Sequence, residues 1–396
     1  MPPDSPLQKR IKRHVIGRKR AFFIAVPPGF ESLCRKELAA PPLSIEGTAV
    51  PGGIDFEGRL DDCWRANLHL RIANRILMRI DAFKATDFAR LQQKVSEIPW
   101  ELYLPPKPAP LVHVTTAKSR LYHTGAIAER VLSCIQSRLE KWAPDSGRFS
   151  PEHDAIQRIF VRAEADRFTL SIDSSGALLY QRGVKTQGGR APIRETIAAA
   201  ALTLAGYTGQ EPLVDPMCGT GTFAIEGAMM AAGIQPGAFR TFAFMGWPSF
   251  IPRKWAYIRR SAENAKPASS PVQIFASDID PASCRSLVQC LEAVPFSGMI
   301  DVSCRDFFTL SPGERSEGKK GVVALNPPYG RRLGSRHGSR NLFQAICTHL
   351  LRTYPGWKIA LVAPEPEWVS DVPFPLARLS FRHGGLAPVL LTGSVP

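Results

Sequence analysis

The sequence predicts an α/β protein in two parts, an α+β N-terminal half and a C-terminal half built on a doubly wound parallel sheet. Three observations carry that prediction. The chain has 396 residues, enough for roughly two to three domains. Up to residue 180 short strand-like runs and a few helices follow one another, whereas after residue 192 strands and helices alternate, the grammar of a parallel sheet with helical crossovers. Between them, 181–192 is rich in Gly, Arg and Lys and reads as a linker. Hydrophobic residues make up 44% and charged residues 21%, which supports packed cores and excludes a chain disordered throughout.

Taken in order, residues 1–20 carry seven basic residues and one acidic. Lys9–Arg20 lacks helical amphipathicity and is expected to stay disordered until it meets a partner. Ala21–Val26 reads as a strand, Pro27-Pro28-Gly29 as a turn, and Glu31–Ala40 as a helix. Strands follow at Gly52–Gly58 and Ile76–Phe83, with Asp61–Ile72 helical between them. These elements form a module over 21–110 that closes on the Pro-rich stretch Pro105–Pro110. In the next unit, 111–182, Leu111–Ala117 alternates as a strand. Gly125–Trp142 is a helix, because Ile127, Val131, Ile135, Leu139 and Trp142 share one face. Ile156–Ala163, Phe168–Asp173 and Ala177–Tyr180 read as strands joined by tight turns.

Past the linker (183–191) lies a domain over 192–396. Its helix Pro192–Ala205 precedes strand Pro212–Val214, a glycine loop and helix Gly221–Ala232. Strand Val272–Ser277, helix Pro281–Ala293, strands Met299–Cys304 and Val322–Leu325, a helix over about 341–352 and strand Lys358–Val362 follow. Two extended segments, Ala377–Arg382 and Pro388–Thr392, end it. Residues 233–270 form an insertion with Trp247, Trp255 and Tyr257, helical near Pro252–Ala265.

Net charge is +15, a dense basic arm plus a mild excess on both bodies, which suits a polyanionic partner such as nucleic acid. No apolar run approaches the roughly 18 residues of a membrane span, and no signal core follows Met1, so a cytoplasmic chain is expected. The eight cysteines include no Cys-x-x-Cys pair, and the eight histidines show no ligand spacing, so neither a disulfide framework nor a metal site is expected.

Two motifs carry chemistry. In Leu213-Val-Asp-Pro-Met-Cys-Gly-Thr-Gly-Thr222 a strand ends at Asp215, a glycine turn follows, and a helix opens near Gly221. Glycines let a ligand approach the backbone, and the helix N-terminus offers N–H groups. Gly219, Gly221 and Ala224 satisfy a dinucleotide-type string, but that site also wants an acid about 20 residues on. None follows Glu226 until Glu263, and the strand-end acids are Asp278 and Asp280. A nucleoside ligand without a pyrophosphate fits better, with Asp278 accepting from ribose hydroxyls and Asp306 at an adenine amino group. The second motif, Asn326-Pro327-Pro328-Tyr329, ends the strand Val322–Leu325, where open α/β sheets bind ligands. An exocyclic amino group is a poor nucleophile because its lone pair is delocalised into the ring. Accepting its hydrogens at the Asn326 side-chain oxygen and the Pro327 carbonyl would aim the lone pair at an electrophile, with Tyr329 stacked on the base. The arginines that follow, Arg331, Arg332, Arg336 and Arg340, suit phosphates flanking a flipped base.

Together, DPMCGTGT (215–222), IEGAMMA (225–231), ASDIDP (276–281) and NPPYG (326–330) resemble class I S-adenosylmethionine-dependent methyltransferases that act on amino groups. With Leu179–Gly183, Ala191–Ala200, the THUMP-like stretch Val114–Thr124, and Ala25–Glu37 and Gly52–Gly58 upstream, the chain is most similar to THUMP-domain RNA guanine-N2-methyltransferases. Within these it resembles the N-terminal half of the RlmL type that acts on 23S rRNA. The resemblance implies a Rossmann-like class I sheet behind a ferredoxin-like module and a THUMP core. It places Thr196, Asp215, Pro216, Gly219, Thr220, Gly221, Asp278 and Asp306 around S-adenosylmethionine and makes Asn326, Pro327, Pro328 and Tyr329 catalytic. RNA contacts are expected at Lys118, Arg120, Arg130, Arg331, Arg332 and Arg336. One departure is Arg331, where relatives often carry an acid. The expected activity is guanine-N2 methylation of 23S rRNA; tRNA as substrate, adenine N6 or a protein glutamine as acceptor, and a non-catalytic RNA-binding or assembly factor are the alternatives.

Overall fold

The computed structural model describes residues 5–142, 156–185, 193–265, 272–311, 316, 318–328, 336–382 and 386–396. The elements are α1 (Pro6–Ile11), β1 (Arg20–Ala25), α2 (Glu31–Ala39), β2 (Gly47–Val50), β3 (Gly53–Gly58), α3 (Leu60–His69), β4 (Arg75–Lys84), α4 (Phe88–Glu97), β5 (Leu111–Ala117), α5 (Thr124–Trp142), β6 (Arg158–Glu164) and β7 (Arg167–Asp173), then α6 (Glu195–Leu204), β8 (Leu213–Asp215), α7 (Thr222–Ala231), α8 (Pro252–Asn264), β9 (Ile274–Asp278), α9 (Pro281–Leu291), β10 (Ile300–Cys304), β11 (Val322–Leu325), α10 (Arg336–Thr353), β12 (Lys358–Ala363), β13 (Ala377–Ser380) and β14 (Val389–Ser394). They fall into two compact units, one of residues 1–26, 35–179 and 240–260, the other of residues 27–34, 180–239 and 261–396.

The first unit is built on a seven-stranded sheet in the order β2-β3-β1-β4-β7-β6-β5. Its described pairings are antiparallel except β5 with β6. Alternation drives the strands: Phe22 and Ile24 of β1 are buried between more exposed neighbours. Helix α5 buries Ile127, Val131, Ile135 and Leu139 as their spacing predicts, but Trp142, expected on the same face, ends the helix 41% exposed. Helix α4 was not expected. It has only two buried residues, Leu91 and Val95, and is held by Asp87, whose side chain caps the N–H of Arg90.

Three expectations for this unit are corrected. Lys9–Arg20 is not a disordered arm over its whole length: Pro6–Ile11 is helical and continues as a π-turn over Lys12–Ile16. Ser5 and Gln8 form a reciprocal capping box with Pro6 at the first helical position. Ile11 and Val15, four apart, are buried, and Arg10 pairs with Glu101 at 2.9 Å. Ala177–Tyr180 is not a strand, because Gly176 turns the chain at φ +81° and Arg240 takes the carbonyls of Ser175, Ala177 and Leu178. Finally, Arg240–Arg260, read as part of an insertion in the C-terminal domain, belongs to the first unit. There Phe244 stacks on Trp64 at 5.5 Å with Phe250 and Trp255 around them, and the indole of Trp247 donates to Gln157 at 2.9 Å.

The second unit carries the sheet β10-β9-β8-β11-β12-β14-β13. The five strands from β10 to β12 are parallel, and β14 and β13 close that edge antiparallel. Residues Val322 to Leu325 are all buried, as a strand covered on both faces must be. One core cluster joins Phe275, Phe307, Phe343, Leu350, Tyr354, Trp357 and Leu361. Strand order reverses at β8, with β9 on one side and β11 on the other, and ligands bind at such a switch point, outside the carboxyl ends of the strands.

Candidate active site

Register places the expected site residues at one end of this sheet. Asp215 ends β8 opposite Ala276, Asp278 ends β9 opposite Cys304, and Val214 lies opposite Val323. Asn326 follows β11 directly and Asp306 lies two residues past β10. Strands this short leave their terminal polar groups side by side.

The glycine loop is anchored from β9. Cys218 N–H donates to the Ser277 carbonyl at 2.9 Å and Gly219 N–H to Asp278 Oδ2 at 2.8 Å. Asp278 Oδ1 takes the N–H of Asp280, so the expected ribose acceptor also fixes the loop, with lone pairs left for a ligand. Gly219 has φ +51° and a Cβ there would meet nothing within 4 Å, which leaves a cradle open on that side. Gly221, at φ +72°, opens α7, and a Cβ there would lie 2.4 Å from Leu287. Glycine is required at this position by both conformation and space.

Three buried polar atoms at this end have no partner among the described residues: Thr196 Oγ1, Asp215 Oδ1 and Asn326 Oδ1. Each belongs to an expected site residue, on α6, β8 and the turn after β11. Buried polar groups are normally satisfied, so this trio fits a site completed by a polar ligand. The other Asp215 oxygen accepts from Ala224 N–H at 3.2 Å. Burial pushes the Asp215 carboxyl up to about 8, with that hydrogen bond opposing and the charge of Asp278 adding to the rise. Pro216 and Pro327 are buried, and Thr220 and Pro328 are half-buried. Asp306 spends one oxygen on the N–H of Phe308.

Several neighbours were not anticipated. Ile279 is 70% exposed and Phe308 38% exposed, so each expected nucleoside acid has an exposed apolar residue beside it. Their signal was available: an apolar residue just past a strand-end acid. Arg182 and Glu226 form a buried ion pair at 2.8 Å that ties the start of the linker to α7. Lys185, also in the linker, donates to Thr222 Oγ1 at 2.6 Å. The sequence places Lys185 in a Gly- and Arg-rich linker, because such residues usually mark solvated chain.

Of the expected RNA contacts, Lys118 is exposed just past β5, at φ +50°. Arg120 is exposed beside Asp166. Arg130 is partly committed to packing, 4.0 Å above the Phe88 ring. Tyr329, Arg331 and Arg332 lie outside the described residues, as does the Arg336 side chain. Arg340 pairs with Asp371 at 2.7 Å. Among the described residues no cluster of His, Cys, Asp and Glu could hold a metal ion, and no helix is long and apolar enough to cross a membrane.

Residues 182–370 match the family model described as RMKL-like, methyltransferase domain, and residues 21–77 match the RlmL ferredoxin-like domain. A relative from Bacillus subtilis, named "Putative RNA methyltransferase YpsC", is 31% identical over 332 residues, which is 83% of this chain and 84% of the relative. "Ribosomal RNA large subunit methyltransferase K/L" of Allochromatium vinosum is 31% identical over 376 residues, 92% of this chain and 50% of the relative. The chain thus spans about half the length of the K/L relatives it matches. SMU.472, solved as "a putative methyltransferase complexed with SAH", superposes with a TM-score of 0.83 at 25% identity, covering 96% of this chain and 99% of the other. The second unit is accordingly a class I methyltransferase fold behind an N-terminal ferredoxin-like domain, and the chain belongs to the RMKL-like methyltransferase family.

Proposed function

We propose that this chain transfers a methyl group from S-adenosylmethionine to the exocyclic N2 amino group of a guanine in 23S rRNA, with the base flipped into the turn that starts at Asn326. The observation that carries the reading is the trio of buried, unpartnered oxygens on Thr196, Asp215 and Asn326 around an open glycine cradle. Family membership and the SAH-bound neighbour support the cofactor. The large-subunit methyltransferase relatives support rRNA as the substrate class. An RNA-docking role for residues 21–182 is part of the same reading, and of these residues 21–77 match the RlmL ferredoxin-like domain.

Bound S-adenosylmethionine would supply an electrophilic methyl group on a sulfonium centre. The protein's task is then position. The glycine loop and Asp278 would hold the nucleoside, Asp306 would meet the adenine amino group, and Ile279 and Phe308 offer apolar surface to the ring. Thr196 and Asp215 would face the methionine end. Asn326 Oδ1 and the Pro327 carbonyl would accept the two N–H hydrogens of the target amino group and turn its lone pair to the methyl carbon, with Tyr329 stacked on the base and Pro328 stiffening the turn. In-line placement of donor and acceptor supplies most of the acceleration, and no strong general base is needed. Flipping a paired base costs on the order of a few kcal/mol, which Lys118, Arg120, Arg130, Arg331, Arg332 and Arg336 would help offset through phosphate contacts.

The test is label transfer from S-adenosylmethionine to purified 23S rRNA and, separately, tRNA. Label on 23S rRNA is expected, and Asn326→Ala should abolish it with SAH binding retained. Label on tRNA alone would replace the substrate assignment, RNA binding without transfer by any wild-type preparation would favour an assembly factor, and undiminished Asn326→Ala activity would refute the role given to that side chain.

A further inference from the structure

The linker lysine occupies a place that the fold alone does not explain. The Lys185 side chain is only 12% exposed. Its Nζ donates to Thr222 Oγ1 at 2.6 Å, reaches Thr220 Oγ1 at 3.4 Å and stands 3.6 Å from Glu195 Oε1. Both threonines flank Gly221 in the loop and first turn of α7, and Glu195 opens α6 immediately before Thr196. A lysine serving only to neutralise Glu195 would bond the carboxylate directly. Here the shortest bond goes to a hydroxyl, and the carboxylate lies beyond hydrogen-bond distance.

The cluster is therefore a buried ion pair without a direct hydrogen bond between its members. Burial lowers the Lys185 pKa and raises that of Glu195. Asp215 lies within electrostatic reach of Lys185. Two buried oxygens of the same cluster, Thr196 Oγ1 and Asp215 Oδ1, have no partner among the described residues. An ammonium, an unpartnered hydroxyl and an unpartnered carboxyl oxygen supply the donor and acceptor types that an α-amino-acid zwitterion needs.

We propose that Lys185, together with the Thr196 hydroxyl, receives the α-carboxylate of the cofactor's methionine end while Asp215 takes its α-ammonium, which makes Lys185 the residue that selects a cofactor with an intact amino acid. The proposal rests on the S-adenosylmethionine reading above and extends it to a residue outside the glycine motif. Lys185 is a positioning residue for the sulfonium: fixing the far end of the chain fixes where the methyl group points.

Calorimetric titration of the full chain with SAH and with its decarboxylated analogue, S-adenosyl-3-thiopropylamine, tests this. The wild type should bind the analogue roughly 10- to 100-fold more weakly than SAH, as loss of a charge-assisted bond requires. Lys185→Met should lose most of that preference, by losing affinity for SAH while keeping that for the analogue, with the Thr196 hydroxyl holding the remainder, and retained analogue binding shows that the variant is folded. Lys185→Gln, which still donates to Thr222, carries the same expectation, and Lys185→Arg should restore part of the preference. Variants that keep the wild-type ratio, whether both affinities fall together or neither changes, would overturn the proposal by making the cluster structural. Wild-type protein that binds neither ligand would instead sink the cofactor reading beneath it.

Discussion

Replacing Asp215 by Asn removes the carboxyl whose protonation the fold controls most strongly. Asp215 is 1% exposed, and its single described partner is the N–H of Ala224. Burial moves its pKa from 3.8 to about 8. At about 1.4 kcal/mol per pH unit, the ionised form costs the unliganded fold on the order of 5 kcal/mol. The sign follows from proton counts: between pH 4 and 8 the native state holds a proton that the unfolded chain has released, so stability falls as pH rises and levels off above 8. The difference in unfolding free energy between wild type and Asp215→Asn should therefore decline from pH 4 to pH 8. A ligand that brings a cation to Asp215 should reverse the penalty by ionising the carboxyl. SAH binding should then release up to one proton at pH 7 and fewer as the pH rises past 8, read by calorimetry in buffers of different ionisation enthalpy. Asp215→Asn, whose amide oxygen still accepts from Ala224, should bind without that release. Equal proton release by the two proteins, or parallel pH–stability curves, would refute the reasoning.

The remaining predictions concern the frame around the site. Ile11→Ala should destabilise the chain by about 2–5 kcal/mol, measured by urea unfolding, because Ile11 is 4% exposed in a helix that packs. The pair Arg13→Gln and Arg18→Gln, both exposed, should leave stability within about 0.5 kcal/mol and lower the salt slope of RNA binding by about one to two. Arg182→Met should cost about 3–5 kcal/mol by leaving the buried Glu226 carboxylate without its guanidinium, and adding Glu226→Gln should recover part of the loss in the same unfolding assay.

Legibility in the sequence followed the periodicity and the motifs. The face of α5 could be read from four apolar residues spaced by four, and the C-terminal alternation predicted the parallel strands. The strand-end positions of Asp215, Asp278 and Asn326 came from motif placement, and their meeting at one sheet end came from topology. What was missed depends on side chains that act across long sequence separations. Pro6–Ile16 has only Ile11 and Val15 to bury, and its charge suggested solvent; the capping box at Ser5 and Gln8 was the available cue. Ala177–Tyr180 is a short apolar run like a strand, but Arg240, more than sixty residues beyond Ala177 and Leu178, takes their carbonyls. Lys185 looked like any linker cation until Thr222 and Glu195 closed around it.

The most direct test of the central claim is the mapping of methylated nucleosides in cellular RNA with and without this protein. The account predicts that N2-methylguanosine disappears from one position of 23S rRNA when the protein is removed, and that it returns with wild type but not with Asn326→Ala. Unchanged N2-methylguanosine in 23S rRNA, or a loss confined to tRNA or to N6-methyladenosine, would contradict it.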